Sequence, residues 1–216
     1  MNIILFGPPG AGKGTQADKI VKNFNLQTIS TGNLLRKEIK NNTELGNKIK
    51  SLIDKGTLVP DDIIENLVIK VLSHKKLYNR LIFDGYPRTI EQAKNLDLSL
   101  KMYNQKISCV LSLNIEKKFI LKRILGRLTC SNCGTIFNKY FKPASKQNHS
   151  CDASFLKRRS DDNEKTVINR FNEYLNKTLP ILNYYKDQNL LHQINGIEGI
   201  DQIFDKIRGI IASLET

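Results

Sequence analysis

A glycine-rich loop near the start of the sequence constrains the fold of this chain more than any other feature. The nine residues Gly7–Thr15 (GPPGAGKGT) come directly after a short apolar run, Ile3–Phe6. The apolar run predicts a buried strand, and the glycines predict a turn whose backbone N–H groups surround an anion at the start of a helix. Lys13 adds a full positive charge. The loop therefore fits the P-loop pattern and predicts a site for nucleotide phosphates.

One position in this loop departs from the usual P-loop pattern. Gly14 follows Lys13 where serine or threonine is usual, and the hydroxyl comes one residue later, at Thr15. The alternative is an ordinary glycine turn between a strand and a helix. The strand, the glycine spacing, the lysine and the helix start all agree with a phosphate site instead.

The length and composition are typical of a globular protein with one compact core. The 216 residues are 40% hydrophobic and 25% charged, and no apolar run approaches the roughly 18 residues of a membrane span. No secretion signal precedes the first strand, so we expect a cytoplasmic protein without a membrane partner. The net charge of +13 comes from scattered lysines, which favours a solvated surface over a nucleic-acid partner.

Apolar runs alternate with helical periodicity, which predicts a parallel sheet covered by helices. The predicted strands are Asn2–Phe6, Gln27–Ser30, Arg80–Asp84, Ser108–Leu113 and Leu190–Ile194. The predicted helices are Lys13 to about Phe24, Glu116 to about Leu125, a long helix capped by Ser160–Asp161, and Asp201 to about Leu214.

Two stretches interrupt this alternation. Residues 30 to about 62 predict two short helices closed by Gly56–Pro60, and residues 126 to about 162 predict a small irregular lobe inserted between two helices. Each interruption follows the carboxyl end of a strand or the helix after it. Open α/β sheets bind their ligands at that edge, so both inserts are expected to border the site.

Asp84 ends a predicted strand and resembles the carboxylate that holds water molecules on Mg²⁺ beside a P-loop. Gly85 follows it, where many water-activating ATPases place a glutamate base. This favours phosphoryl transfer over hydrolysis. The alternative is an aspartate that only terminates a strand.

The segment after Asp84 predicts an anion-binding turn. Proline stiffens Tyr86-Pro87-Arg88-Thr89, Thr89 can cap the next helix, and Arg88 is thereby directed at the strand ends. A guanidinium there suits a bidentate contact with phosphate. Gln92 follows one helical turn later and carries the donor and acceptor needed to read a base edge.

Further arginines border the second insert. Arg123 and Arg127, four residues apart, are predicted to share one helix face at its entrance, and Arg159 and Arg170 lie at its exit. An isolated arginine pair is usually solvated. Four cations converging on one opening indicate a triphosphate ligand.

Cysteines in the second insert predict a metal site. Cys130 and Cys133 have the spacing of a zinc-knuckle half-site, and Cys151 follows after a loop. Asp152 and His149 are the candidates for a fourth ligand, and the two together could replace Cys151. The competing interpretation is a reduced, metal-free lobe packed on Phe137 and Phe141. Cys109, in an apolar run, is predicted to be a buried hydrophobic residue.

Together these residues resemble adenylate kinase, of the long bacterial type whose lid bears a zinc knuckle. The similarity runs the whole length of the chain, and its motifs are jointly specific. They are Gly7-Pro-Pro-Gly-Ala-Gly-Lys-Gly-Thr-Gln16, Ile29-Ser-Thr-Gly32, Leu35-Arg36, Phe83-Asp-Gly-Tyr-Pro-Arg-Thr89, Gly126-Arg127, Cys130-x-x-Cys133-Gly, Arg159-Ser-Asp-Asp162 and Asn195-Gly196. The Gly14-Thr15 form of the loop is itself the one found in nucleoside monophosphate kinases.

The resemblance implies a fold, a reaction and a set of partners. The fold would be a three-layer α/β P-loop fold with a five-stranded parallel sheet. It would comprise a core domain at 1–29, 60–125 and 163–216, a helical AMP-binding lobe at 30–59, and a zinc-binding lid at 126–162. The reaction would be ATP + AMP ⇌ 2 ADP with Mg²⁺, which serves adenine nucleotide homeostasis. A monomer and a structural Zn²⁺ are expected.

The resemblance also implies roles for single residues. The catalytic set would be Lys13, Asp84, Arg88, Arg123, Arg159 and Arg170. ATP would meet Gly10, Ala11, Gly12, Lys13, Gly14, Thr15, Arg127, Ile136, Phe137 and Glu198. AMP would meet Thr31, Arg36, Thr57, Leu58, Val59, Gly85, Tyr86, Pro87, Arg88, Gln92, Arg159 and Arg170.

The sequence departs from the family in two places. Asn33 stands where aspartate is frequent, and the region of Cys151 is about three residues shorter than the usual second half-site, which puts the fourth zinc ligand in doubt. Three other functions stay open: a kinase for UMP, CMP or GMP, a P-loop ATPase or switch, and a zinc-ribbon protein that binds nucleic acid. Gln92 favours adenine and argues against the other monophosphate kinases. Gly85, after Asp84, argues against an ATPase, and the dispersed lysines argue against a nucleic-acid-binding protein.

Overall fold

The computed structural model describes residues 1–214, so residues 215–216 of the predicted core lie outside the described residues. The strands are β1 (Asn2–Phe6), β2 (Gln27–Ser30), β3 (Leu81–Asp84), β4 (Cys109–Asn114), β5 (Arg127–Cys130), β6 (Ile136–Asn138), β7 (Leu156–Lys157) and β8 (Leu191–Asn195). The helices are α1 (Lys13–Phe24), α2 (Thr31–Lys40), α3 (Glu44–Lys55), α4 (Asp61–Leu72), α5 (Ile90–Met102), α6 (Lys117–Leu125), α7 (Glu164–Glu173), α8 (Ile181–Lys186) and α9 (Ile200–Ala212).

A five-stranded parallel sheet in the order β2-β3-β1-β4-β8 forms the centre of the molecule, as the alternating pattern predicted. The predicted strand bounds are correct to within one residue. All five residues of β1 are buried. Ile4 and Phe6 enter one apolar core, and Ile3 and Leu5 enter a second core on the other face. Because both faces are covered, the fold is a three-layer α/β sandwich.

The first insert is helical, as predicted. The side chain of Thr43 caps α3 by accepting a hydrogen bond from Gly46 N, and Gly56 ends α3 with φ of 75°. Leu35 of α2 and Ile49 of α3 are buried in the same core as Ile4. The helices therefore continue the apolar layer of the main domain.

The second insert holds a three-stranded antiparallel sheet, β6-β5-β7, so the predicted irregular lobe is wrong. The prediction that Arg123 and Arg127 share a helix face is also wrong. Helix α6 ends at Leu125 with Gly126 as its C-cap, and Arg127 begins β5. The glycine is required for space, because a Cβ at Gly126 would lie 2.7 Å from Tyr140 Cδ2.

The start of α7 also differs from the prediction of a Ser160–Asp161 cap. The N-cap is Asn163, whose side chain accepts a hydrogen bond from Thr166 N at 3.0 Å. Asp161 is instead paired with Arg170. A π-helical turn, Tyr174–Thr178, follows α7 directly and precedes α8. Within residues 1–214, none of the helices has both the length and the apolar character that a bilayer crossing requires.

Candidate functional site

A cavity of about 570 Å³ opens at the carboxyl ends of the parallel strands. Its walls come from the glycine-rich loop, the end of β3 and both inserts. All of the predicted ATP and catalytic residues line it, namely Gly10, Ala11, Gly12, Lys13, Gly14, Thr15, Asp84, Arg88, Arg123, Arg127, Ile136, Phe137, Arg159, Arg170 and Glu198. The structure thus brings together residues that are up to 188 positions apart in the sequence.

The glycine-rich loop has a backbone that side chains would disturb. Gly7 has φ of 145°, and a Cβ there would lie 2.8 Å from the carbonyl oxygen of Leu113. Gly10 and Gly12 also have positive φ values, 78° and 98°. The loop therefore packs tightly under β4 while its N–H groups line the cavity at the start of α1.

Lys13 is held against the loop, and its Nζ makes no ion pair with any carboxylate of residues 1–214. Its Nζ donates to the carbonyl oxygens of Gly7, at 2.7 Å, and Pro8, at 3.1 Å. Burial lowers the pKa of Lys13 to about 8; Asp84 opposes this shift, and the charges of Arg88, Arg127 and Arg170 add to it. A phosphate group would supply the missing negative charge.

Other cations in the cavity share this environment. Burial lowers the pKa of Arg88, with Arg170 adding to the effect, and burial with neighbouring arginines lowers the pKa of Arg159 to about 9. Arg88 is directed by a 2.7 Å hydrogen bond from its Nε to Gly85 O. So many buried cations with lowered pKa values favour binding of a polyanion.

Two of the arginines already have carboxylate partners. Arg127 pairs with Asp162, and Arg170 pairs with Asp161. Both aspartates are buried. Burial raises the pKa of Asp161, but the charge and hydrogen bond of Arg170 outweigh it, and the net pKa is lowered. The aspartates were absent from the predicted site, although the motif Arg159-Ser-Asp-Asp162 contains them.

A smaller pocket of about 60 Å³ adjoins the main cavity between the first insert and the start of α5. Thr31 donates from Oγ1 to Gly85 O at 2.9 Å and fixes one wall. The predicted AMP residues that line this pocket are Thr31, Arg36, Thr57, Leu58, Val59, Gly85, Arg88, Gln92 and Arg170. Pro87 and Arg159 line the main cavity instead, and Tyr86 is buried behind the pocket, its hydroxyl 3.4 Å from Gln92 O.

The lid side of the cavity contains an aromatic residue that the sequence did not identify as a ligand contact. Phe141 lines the cavity, is 46% exposed, and lies with its ring centroid 5.5 Å from Arg123 Cζ. Arg123 also donates to Ala11 O at 3.3 Å. The guanidinium and the ring are both planar groups and lie beside the glycine-rich loop, so either one suits stacking of a base. The sequence signal that could have identified Phe141 is its position four residues after Phe137, which was predicted to contact ATP.

Three cysteines and one histidine in the lid lie close enough to hold one metal ion. The candidate ligand atoms of Cys130, Cys133, His149 and Cys151 all lie within 4.8 Å of one another. Nε2 of His149 is buried and has no hydrogen-bond partner among residues 1–214, and the His149 ring packs edge-on against Phe137 with a centroid distance of 4.8 Å. Thiolate and imidazole ligands in this number fit Zn²⁺. Asp152 instead accepts a 2.8 Å hydrogen bond from Ser154 N.

The fourth cysteine and the candidate Mg²⁺ ligands lie outside the second insert. Cys109 is fully buried in β4, as predicted, and burial raises the pKa of its thiol to about 12. Asp84 and Thr15 line the cavity beside Lys13. Carboxylate and hydroxyl oxygens are suitable ligands for Mg²⁺, which keeps several waters in nucleotide sites.

Comparison with known proteins agrees with this geometry. The model of the adenylate kinase family matches residues 5–190. An adenylate kinase of Pelagibacter ubique is 47% identical over 211 residues, which cover 98% of this chain and 99% of the relative. Adenylate kinases of Methanosarcina barkeri and Enterococcus faecalis are 43% and 41% identical, each over 213 residues that cover 98% of this chain and 98% and 99% of the relatives.

Proposed function

The chain belongs to the adenylate kinase family, and from that premise we propose how its residues carry out the reaction ATP + AMP ⇌ 2 ADP. It is a phosphotransferase that binds ATP, AMP and ADP. One observation carries the assignment to this cavity: Arg88 and Arg170 line both the large cavity beside the glycine-rich loop and the small pocket beside Gln92. Donor and acceptor phosphates would therefore meet at these two guanidinium groups.

On the donor side, residues 10–15 would hold the ATP phosphates through backbone N–H groups and Lys13 Nζ. Arg127 would approach from the lid, beside Ile136 and Phe137. Phe141 and the loop at Glu198 would contact adenine. Arg123 would therefore contact the adenine base, because its guanidinium lies over the Phe141 ring.

On the acceptor side, Arg88 and Arg36 would hold the AMP phosphate, and Gln92 would read the base. Thr31, Gly85 to Pro87 and the backbone of residues 57–59 would enclose the nucleoside. The buried position of Arg88 and its fixed Nε–H support a phosphate contact of defined geometry.

The chemical step needs no protein base. An AMP phosphate oxygen attacks the γ-phosphorus of ATP in line, and the bond to the β–γ bridging oxygen breaks as ADP leaves. Lys13, Arg88, Arg159 and Arg170 would stabilise charge on the transferring group. Phosphate oxygens would compete with Asp161 and Asp162 for Arg170 and Arg127. A closed lid would exclude water, the competing acceptor.

Two metals would complete the enzyme. Asp84 and Thr15 would hold Mg²⁺ through its water ligands, and the ion would neutralise charge on the ATP phosphates. Cys130, Cys133, His149 and Cys151 would hold a structural Zn²⁺ in the lid. The buried, unpartnered Nε2 of His149 supports His149 over Asp152 as the fourth ligand.

The proposed domain boundaries follow the elements. The core would comprise 1–29, 60–125 and 163–214, the AMP-binding lobe 30–59, and the lid 126–162. A monomer in the cytoplasm is our expectation from the family, and sedimentation equilibrium tests the monomer.

The function is tested by measuring ADP formed from ATP with AMP, GMP, CMP or UMP as acceptor. We expect ADP with AMP and little product with the others. Arg88→Ala should raise the KM for AMP by an amount corresponding to about 2–5 kcal/mol, as for loss of a buried charge partner. Arg80→Ala is the control, because Arg80 is exposed just before the amino end of β3. An unchanged KM for AMP in Arg88→Ala would refute its role.

A further inference from the structure

We propose that Asp61 locks the side-chain amide of Gln92 in one orientation and thereby makes the small pocket select adenine against 6-oxopurines. The inference rests on the proposed function, in which this pocket receives the AMP base. Asp61 would be a positioning residue, since it acts through Gln92 and does not line the pocket.

Two hydrogen bonds hold the side-chain amide of Gln92, and a third holds the carboxylate of Asp61. Gln92 is 2% exposed and lines the small pocket. Its Oε1 accepts from the backbone N–H of Arg88 at 2.7 Å, and its Nε2 donates to Asp61 Oδ1 at 2.6 Å. The other carboxylate oxygen of Asp61 accepts from Thr89 Oγ1 at 2.9 Å. The carboxylate is therefore itself fixed, by the residue that caps α5.

The chemistry of the two partners determines which end of the amide is oxygen. A backbone N–H can only donate, and a carboxylate can only accept. A rotated amide would place its NH₂ against the N–H of Arg88 and its oxygen against Asp61. Both contacts would be repulsive, so the orientation follows from the network rather than from an arbitrary assignment of the amide atoms.

The locked amide has one acceptor site and one N–H left for a ligand. This pair matches adenine, whose N1 accepts and whose 6-amino group donates. Hypoxanthine and guanine present the reverse, an N1–H donor and an O6 acceptor. They would leave the remaining amide groups facing like groups in a buried pocket, which sites of this kind reject strongly. Asp61 thus acts against the wrong base.

The structure also supplies controls along the same helix. Asp62, the next residue in the first turn of α4, is exposed and makes no side-chain hydrogen bond or ion pair within residues 1–214. Glu65, one turn further, accepts from Asn95 Nδ2 at 2.6 Å across the same α4–α5 interface. Glu65 makes a similar acid–amide contact but does not contact Gln92.

The test compares AMP with IMP as acceptor, since IMP differs from AMP only in the polarity of this base edge. Asp61→Asn can present either oxygen or NH₂ to Gln92, so only the backbone N–H of Arg88 still opposes rotation of the Gln92 amide. We expect the kcat/KM ratio of AMP to IMP to fall by about tenfold or more. This ratio does not depend on the fraction of active enzyme, so partial misfolding cancels. Asp61→Ala replaces Asp61→Asn if the latter is insoluble.

Asp62→Asn and Glu65→Gln should keep the wild-type ratio. In a Gln92→Leu background, which has no amide to orient, Asp61→Asn should change the ratio no further. A KM for AMP that rises in Asp61→Asn with an unchanged ratio would make Asp61 merely structural and overturn the inference. If wild-type enzyme formed no ADP from ATP and AMP, the proposed function would fail first, and the two failures are therefore distinguishable.

Discussion

The two segments inserted into the core are held in place by different interactions. The first, residues 31–59, contributes Leu35, Ile49 and Val59 to the same apolar core as β1. Within the lid, residues 126–162, only Cys130 and Phe137 are buried hydrophobic residues. The first segment is therefore an extension of the core, whereas the lid must rely on its cysteine cluster, its short sheet and its arginine–aspartate pairs. An insert of the second kind can change shape without disturbing the sheet.

Loss of the proposed zinc ion should have the largest effect, and it should act on the second insert alone. Structural zinc contributes on the order of 10 kcal/mol to the folding of small zinc domains. Cys130→Ser, or a zinc chelator, should abolish hydrogen-exchange protection in β5, β6 and β7 and leave β1 and β4 protected. Ser131→Ala, between the two cysteines, is the control. Protection of the lid strands without bound zinc would show that the lid folds by packing alone.

Truncation of the first insert should have a smaller but global effect. Ile49 is 1% exposed in the main apolar core. Ile49→Ala should lower the free energy of unfolding of the whole chain by about 2–5 kcal/mol. Urea unfolding followed by far-UV circular dichroism measures this, with Lys50→Ala on the exposed face as the control. A separate early transition confined to α2 and α3 would contradict a shared core.

The two inserts should also differ in how they affect the pH dependence of nucleotide binding. Lys13 has a pKa of about 8 in the nucleotide-free chain, below its ordinary value of 10.5. Below pH 8 it is already protonated; above pH 8, phosphate binding should raise its pKa and take up a proton. Calorimetry of ATP binding in buffers of different ionisation enthalpy measures the uptake.

The lid contributes to this shift in the pKa of Lys13 through Arg127, whereas Arg36 of the first insert is not among the charges that lower it. Arg127→Gln should therefore move the onset of proton uptake to higher pH, and Arg36→Gln should leave it in place. Lys13→Gln should abolish the uptake. Equal shifts in the two arginine variants would mean that both inserts act on the lysine alike.

The smallest effect is expected where the two inserts meet. Ser160 Oγ donates to Asp54 Oδ1 at 3.2 Å, and both residues are exposed. Ser160→Ala should cost no more than about 1 kcal/mol of stability, because water replaces the lost partner. A double-mutant cycle with Asp54→Ala, followed by thermal unfolding, measures the coupling. A coupling of several kcal/mol would mean that this exposed contact contributes substantially to holding the two inserts together.

Much of this molecule follows from local sequence patterns. The apolar runs predicted all five strands of the main sheet to within one residue, because strands buried on both faces read as continuous apolar segments. Thr89 was predicted to cap α5, and its side chain accepts from Gln92 N at 3.1 Å. Boundaries near charged residues were less predictable. Asp161 was predicted to be part of the N-cap of α7, but its carboxylate pairs with Arg170, and Asn163 is the N-cap instead.

What the sequence could not supply is the pairing of distant polar residues. His149 and Cys151 are separated by one residue rather than by the usual two of a zinc half-site, so spacing alone left the ligand set open. Asp61 and Gln92 are 31 residues apart, and no motif connects them. Their hydrogen bond depends on how α4 packs on α5, which is a tertiary result.

The position of β1 between β3 and β4 also bears on biosynthesis. The strand that carries the glycine-rich loop pairs with Leu81–Asp84 on one side and Cys109–Ser112 on the other. A nascent chain that has emerged only to residue 80 has neither neighbour, and its β1 would have two open edges. The first motif to be synthesised can become a rigid phosphate site only after about half of the chain has left the ribosome.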